Sequence, residues 1–162
     1  MGRPDERRDA IRLREVEVLA EHSSCIKMRV AAKVYRERDK SAVGEGYNGT
    51  VRGAVNCCDH WAVRGIGRDH RDFRELHHEF ARRHEVHAEM NALLQCRHVD
   101  SRDACTMYCT HAPCGDCAKH IAAVGFVRRV VYRHVYKRDT GGVDYLVQHG
   151  IRTLQLRDES AP

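Results

Sequence analysis

The stretch His87–Cys96, HAEMNALLQC, decides how this chain is read. Met90, Leu93 and Leu94 recur at i, i+3 and i+4, the spacing that lays one apolar face along a helix, and predict a helix over 86–98. Yet the stretch opens on His87, Ala88 and Glu89, a histidine and a carboxylate at the very start of that helix. Such groups belong either to solvent or to chemistry, and the rest of the chain decides between the two.

Outward from this helix the pattern alternates. Upstream, Ile11, Leu13, Val16, Val18 and Leu19 among charges predict a helix over 8–21, and RVAAKVY (29–35) and SAVGEGY (41–47) predict two strands joined by the charged turn RERDK. GYNGTVRG (46–53) is a glycine-rich loop. Residues 57–84, dense in Arg, His and Asp with few apolar anchors, predict an irregular insertion with one helix around 70–83. Downstream come a strand over 104–110, a helix over 115–124, a strand over 127–135, a helix over 142–150 and a last strand over 151–156. The tail RDESAP is expected to fray. Strands alternating with helices imply a sheet covered by helices, and 162 residues suit one compact domain, 1–162.

Composition narrows the function. Hydrophobic residues make up 42% of the chain, enough for a real core, and no run of 18 apolar residues suggests a membrane span. The start is charged throughout, without the apolar stretch of a secretory signal, so the expected compartment is the cytoplasm. Eight cysteines there point to metal binding or catalysis before disulfides, and twelve histidines point the same way. A net charge of +5 suits a phosphorylated substrate. Aromatic residues at 6%, with one Trp, are poor material for stacking bases along a single strand, so no nucleic-acid partner is expected.

The opening question is answered 27 residues after His87, in APCGDCAKH (112–120), where Cys114 and Cys117 stand as C-x-x-C at a helix start. One His and two Cys are three soft ligands, the number a catalytic zinc takes from protein. The helix N-terminus favours thiolates. Glu89, two residues from His87, is placed beside such a metal without ligating it, as a proton shuttle. A lone C-x-x-C also serves as a redox pair or half of a structural zinc site. The H-x-E and P-C-x-x-C elements in this order, each at a helix start, match the signature of zinc deaminases.

With GYNGTVRGAVNCCDH, with NALLQC after HAE, and with ACTMYCTHAPCGDCAKHIAAVGFVRRVVYRHVY, the chain resembles the cytidine deaminase superfamily, and within it the phage-type deoxycytidylate (dCMP) deaminases, from about Cys25 to about Leu156. The resemblance implies a cytidine-deaminase-like three-layer α/β/α fold with a central five-stranded mixed sheet. It implies zinc-dependent hydrolytic deamination of dCMP to dUMP and ammonia, supplying dUMP for thymidylate synthesis, with Glu89 moving the protons. It places Asn48 against the sugar, Arg29 near the phosphate, Tyr136 near the base and Thr110 at the entry to the P-C-x-x-C turn, where Ala112 replaces a common Ser. It implies a second, structural zinc held by Cys25, Cys57, His77 and Glu85, for which Cys58 and His60 are alternative ligands. It also implies a homohexamer activated by dCTP and inhibited by dTTP, although Gln95 and His98 replace the aromatic and Arg of the regulated relatives. If the chain is phage-encoded, its compartment is the host cytoplasm. The rival readings are a deaminase of dCTP or of a modified dCMP, a polynucleotide deaminase, and a non-catalytic zinc-stapled nucleotide-binding module. Glu89 argues against the last.

Overall fold

The computed structural model describes residues 4–157, so the expected fraying of the tail lies outside the described residues apart from Arg157. In chain order the elements are α1 (Pro4–Ala20), β1 (Ala31–Arg36), β2 (Ala42–Tyr47), β3 (Gly49–Thr50), α2 (Cys57–Arg64), α3 (Phe73–His84), β4 (Glu85–Val86), α4 (Ala88–Gln95), β5 (Cys105–His111), α5 (Gly115–Ala123), β6 (Val127–His134), α6 (Gly141–Gln148) and β7 (Arg152–Gln155). Five strands form a mixed sheet in the order β2-β1-β5-β6-β7. β1 runs antiparallel to β2 and β5, while β5, β6 and β7 run parallel. The run CTMYCT in the central strand β5 is buried at every position, as expected of a strand covered on both faces.

Helix α1 covers one face, packing Leu13, Val16 and Ala20 on Ala31, Tyr35, Tyr108 and Val131. Of the apolar residues that mark this helix in the sequence, Ile11 and Val18 are exposed, and the buried stripe instead takes in Asp9. Asp9 accepts from the Tyr108 hydroxyl at 2.7 Å and from Arg129 Nη1 at 3.0 Å, so its burial is matched by a cation and a hydroxyl donor.

On the opposite face, α4, α5 and α6 pack on Ala32, Val34, Met107, Cys109 and Val130. Here the apolar face expected from Met90, Leu93 and Leu94 is corrected. Leu94 is 64% exposed, and the face turned to the sheet is Ala88, Glu89, Ala92, Leu93 and Cys96. Small residues line it because α4 lies almost on the backbone of β2. A Cβ on Gly44 would stand 2.3 Å from Ala92 O, and one on Gly46 would stand 2.8 Å from Ala88 O.

The segment 57–84 is a second correction. It is not irregular but holds two helices with a small core of their own, Cys57, Trp61, Phe73 and Phe80, closed by Cys25. Helix α2 was missed, although its ends are signed. Asn56 Oδ1 accepts from Asp59 N–H at 2.9 Å, and Gly65 adopts the left-handed conformation (φ 61°) in which its N–H reaches Ala62 O. The two-residue ladder of β3 with β4, pairing Thr50 with Glu85, ties the glycine-rich loop to the approach to His87.

Candidate active site

Two helix starts meet at the end of β5. His87 is the N-cap of α4 and Cys114 the N-cap of α5; both have extended backbone, and neither uses its side chain to cap. The side chains turn toward each other instead, forgoing a cap worth about 1 kcal/mol. His87 Nδ1 lies 3.2 Å from Cys117 Sγ and 3.5 Å from Cys114 Sγ. Two ligands on one tetrahedral zinc, with ordinary Zn–S and Zn–N lengths, stand roughly 3.5 Å apart, so the donor set fits that ion. Cys117, hydrogen-bonded through its thiol, draws the Cys114 thiol down to about 4, and the Cys114 sulfur pushes His87 up to about 9. The cluster is therefore built to hold a thiolate.

Glu89 is 5% exposed, and burial pushes its carboxyl above the usual carboxylate range. It sits against Cys117 and beside His87 on the first turn of α4. It is a buried acid that neither joins the ligand cluster nor pairs with a cation among the described residues.

A second cluster brings together Cys25, Cys57, His77 and Glu85, whose ligand atoms all lie within 4.8 Å of one another. His77 Nε2 is 3.2 Å from Cys25 Sγ and 3.4 Å from Cys57 Sγ, again close to tetrahedral edges. Glu85 Oε1 is buried with no hydrogen-bond partner among the described residues. Burial pushes the Glu85 carboxyl up to about 7, while Cys57 draws the Cys25 thiol down to about 3. An orphaned carboxylate oxygen beside a thiolate is costly unless a cation joins them. Of the alternative ligands, Cys58 is exposed and His60 lies tilted against Phe80 with ring centroids 4.1 Å apart, and neither belongs to the cluster.

The remaining expected residues divide. Asn48 is buried and its amide is largely committed: Oδ1 accepts from Ser23 Oγ at 2.7 Å and Val30 N–H at 2.8 Å, and Nδ2 donates to Met28 O at 3.0 Å. It thereby pins the segment that carries Cys25, and one N–H is left over. Tyr136 is half-buried against the sheet core, and burial pushes its hydroxyl up. Arg29 and Thr110 lie together. They share a depression of about 250 Å³ with Glu17, Ala20, Glu21, His111 and His134, and Thr110 Oγ1 accepts from Ala31 N–H at 3.2 Å. Gln95 and His98 are exposed.

Sequence reading missed Asp139. Its carboxylate accepts from Gly115 N–H at 2.5 Å and Gly141 N–H at 3.0 Å, supplying the cap that Cys114 does not. The signal was DTGG, an Asp ahead of two glycines. Gly142 is needed because a Cβ there would lie 2.1 Å from Pro113 O, in the turn that presents Cys114.

A sheet covered on both faces, two ligand-bearing helix starts and a buried non-ligating carboxylate together define the centre of a zinc-dependent deaminase. The chain belongs to the cytidine and deoxycytidylate deaminase family, whose zinc-binding region matches residues 7–134. Within that family it is similar to the deoxycytidylate deaminase of Mycobacterium phage D29, at 37% identity over 137 residues, covering 82% of this chain and 97% of that one. The deoxycytidylate deaminase of Enterobacteria phage T4 is 31% identical over 166 residues, covering 86% of this chain and 84% of its own. The crystal structure of dCMP deaminase from the cyanophage S-TIM5 in complex with dCMP and dUMP matches with a TM-score of 0.70 at 31% identity, over 96% of this chain and 100% of that one.

Proposed function

We propose that this chain deaminates dCMP hydrolytically, giving dUMP and ammonia. The observation that carries this reading is the buried Glu89 beside the His87, Cys114 and Cys117 cluster. The relatives named above support the choice of nucleotide.

His87, Cys114 and Cys117 hold the zinc, which when bound makes water a nucleophile at neutral pH toward C4 of cytosine. Glu89 does the proton work. Its carboxylate takes a proton from the attacking water and gives it to N3 of the base. It then carries the second water proton to the exocyclic amine, which leaves as ammonia. Burial suits this role, because a carboxyl whose proton affinity is raised both accepts and returns a proton. Asn48 offers its remaining N–H to the sugar. Tyr136, on the loop that also carries the Asp139 cap, lies by the base. Asp139 is a positioning residue, since it holds the first turn of α5 and hence Cys114.

Replacing Glu89 by Gln tests the reading. The variant should keep one catalytic zinc per site by elemental analysis while ammonia release from dCMP falls by roughly 100-fold or more. Loss of that zinc, or turnover near the wild-type rate, would remove Glu89 from the mechanism.

The second cluster holds a structural zinc, supported by its donor set and by the orphaned Glu85 oxygen. The protein assembles as a homohexamer that responds to dCTP and dTTP, a reading that rests on its resemblance to regulated deaminases. It works in the cytoplasm of the cell that makes it, where eight unpaired thiols, all among the described residues, stay reduced.

A further inference from the structure

The two clusters are joined by one short stretch of backbone. Glu85 belongs to the second cluster, and His87, two residues on, belongs to the catalytic one. Val86 stands between them in β4, and the backbone is extended at Glu85 and at His87 alike. Two residues of extended chain span roughly 7 Å, with no loop to absorb a shift. Glu85 also ends α3, which carries His77, while His87 is the N-cap of α4, which carries Glu89. The pairing of β4 with Gly49 and Thr50 adds only a two-residue ladder.

The four residues of the second cluster are not equally anchored. The His77 ring packs against Trp61 and Phe73, with ring centroids 6.2 and 5.3 Å away. Cys57 is fully buried in the small core of the insertion, and the Cys25 N–H donates to Ser23 Oγ at 3.2 Å. Packing and backbone contacts thus set these three. Glu85 differs, because its Oε1 is buried without a hydrogen-bond partner among the described residues. Lys27 lies within electrostatic reach of Cys25 and Glu85, as it does of Arg74 and Arg138, but it does not satisfy that oxygen. The carboxylate is therefore the member of the cluster whose place depends on a shared cation.

We propose that Glu85 is a positioning residue that couples the two clusters: with a metal at the second cluster, Glu85 is drawn to it, the backbone over 85–87 is fixed, and His87 is held where it meets Cys114 and Cys117. The proposal rests on the two-zinc reading above. The second cluster then does more than staple the insertion, since it sets how tightly the catalytic zinc is bound. Groups that orient a metal ligand from outside its own site are worth about 10–100-fold in metal affinity. By linkage the effect runs both ways.

The test measures metal affinity. Zinc-loaded full chain is equilibrated with a chelator of known affinity. Elemental analysis counts the zinc retained, and residual ammonia release, relative to the same variant without chelator, reports the catalytic share. Glu85→Gln and Cys57→Ser should each hold one zinc, bound about tenfold more weakly than the catalytic zinc of wild type. The double variant should be no weaker than either, because Glu85 acts through the second metal. Glu85→Asp should recover part of the loss. Cys114→Ser, which empties the catalytic cluster, should weaken the second zinc by the same factor. Val16→Ala opens a cavity under α1, on the other face of the sheet; it should lower Tm yet leave catalytic zinc affinity within about twofold. Catalytic zinc held within about twofold of wild type by both Glu85→Gln and Cys57→Ser overturns the proposal. So does an additive loss in the double variant, which would show Glu85 acting on His87 directly, or an equal loss in Val16→Ala, which would show general destabilisation. If Glu85→Gln does not fold, Cys57→Ser and the reciprocal loss in Cys114→Ser decide the matter. A wild-type content of one zinc per chain refutes the two-zinc reading and the proposal with it, whereas two zincs with independent affinities refute the proposal alone.

Discussion

Replacing Gly46 by Ala should damage both stability and catalysis, although Gly46 touches no reacting group. Its added Cβ would stand 2.5 Å from Asn91 Cβ, 2.6 Å from Ala92 N and 2.8 Å from Ala88 O. Carbon–carbon contacts are comfortable at about 3.5–4.0 Å, so α4 must retreat by roughly 1 Å. Two of the three obstructing atoms are backbone, and β2 is locked to β1 by its register, Ala32 opposite Gly46, so neither side yields cheaply. Overpacking of this kind costs about 1–3 kcal/mol, or roughly 2–12 °C in Tm for a chain of this length. The retreat carries Glu89 and His87 with it, because they sit on the first turn and at the N-cap of α4. A displacement of about 1 Å at a proton-transferring group lowers turnover by about 100-fold. Gly49→Ala is the control: its Cβ would meet nothing within 4 Å, and its backbone is not left-handed. It should leave Tm within about 2 °C and kcat within about twofold. Calorimetric melting and dCMP deamination of both variants decide the matter. If Gly46→Ala melts like wild type and only raises KM, the glycine serves close approach of the nucleotide and not the packing of α4, and the reasoning fails. A Gly49→Ala variant worse than Gly46→Ala would refute it equally.

Elemental analysis should find two zincs per chain; Cys57→Ser should leave one and lower Tm by several degrees, whereas a wild-type ratio of one removes the second site. Burial, with help from His134, pushes His111 down to about 4, so its folded form resists protonation; the stability this gives is present above about pH 6.5 and is lost as pH falls toward 4, by up to about 2 kcal/mol at pH 5 before solvent screening. With zinc in excess, His111→Asn should therefore lose less stability between pH 7.5 and pH 5 than wild type in urea titrations, and identical losses would show that His111 is not the acid-sensitive group. Light scattering should give the mass of about six chains, and a stable monomer would contradict the hexamer. Rate against dCMP concentration should be sigmoidal and turn hyperbolic with dCTP; a curve unmoved by either triphosphate would mean that Gln95 and His98 mark an unregulated enzyme.

The cluster of His87, Cys114 and Cys117 was legible in the sequence because it is carried by residue types at short, fixed spacings. His87 and Glu89 share one helix start, and Cys114 and Cys117 share another; local backbone geometry alone keeps each pair together. The alternation of strands and helices likewise followed from local period and implied a covered sheet, which is what formed. What local pattern could not decide was which side of an element turns inward. Leu94 fits the apolar spacing of α4 yet faces out, and Ala88 and Ala92 face in. The determining fact is across the sheet, where Gly44 and Gly46 let a helix settle on a strand more than forty residues earlier. The insertion was misread for the same reason. The helix expected around 70–83 is α3, but α2 is too short and too charged to announce itself, and both are held by Trp61, Phe73 and Phe80 closing over Cys25 from an earlier segment. The surroundings of Arg29 and Arg138 were not legible in the sequence. Resemblance alone placed Arg29 near the phosphate; the tertiary structure puts it in a depression with Glu17, Glu21, Thr110, His111 and His134, and brings Arg138 to His78 of α3. Charge acts through space, so only the folded chain decides which cations share a field.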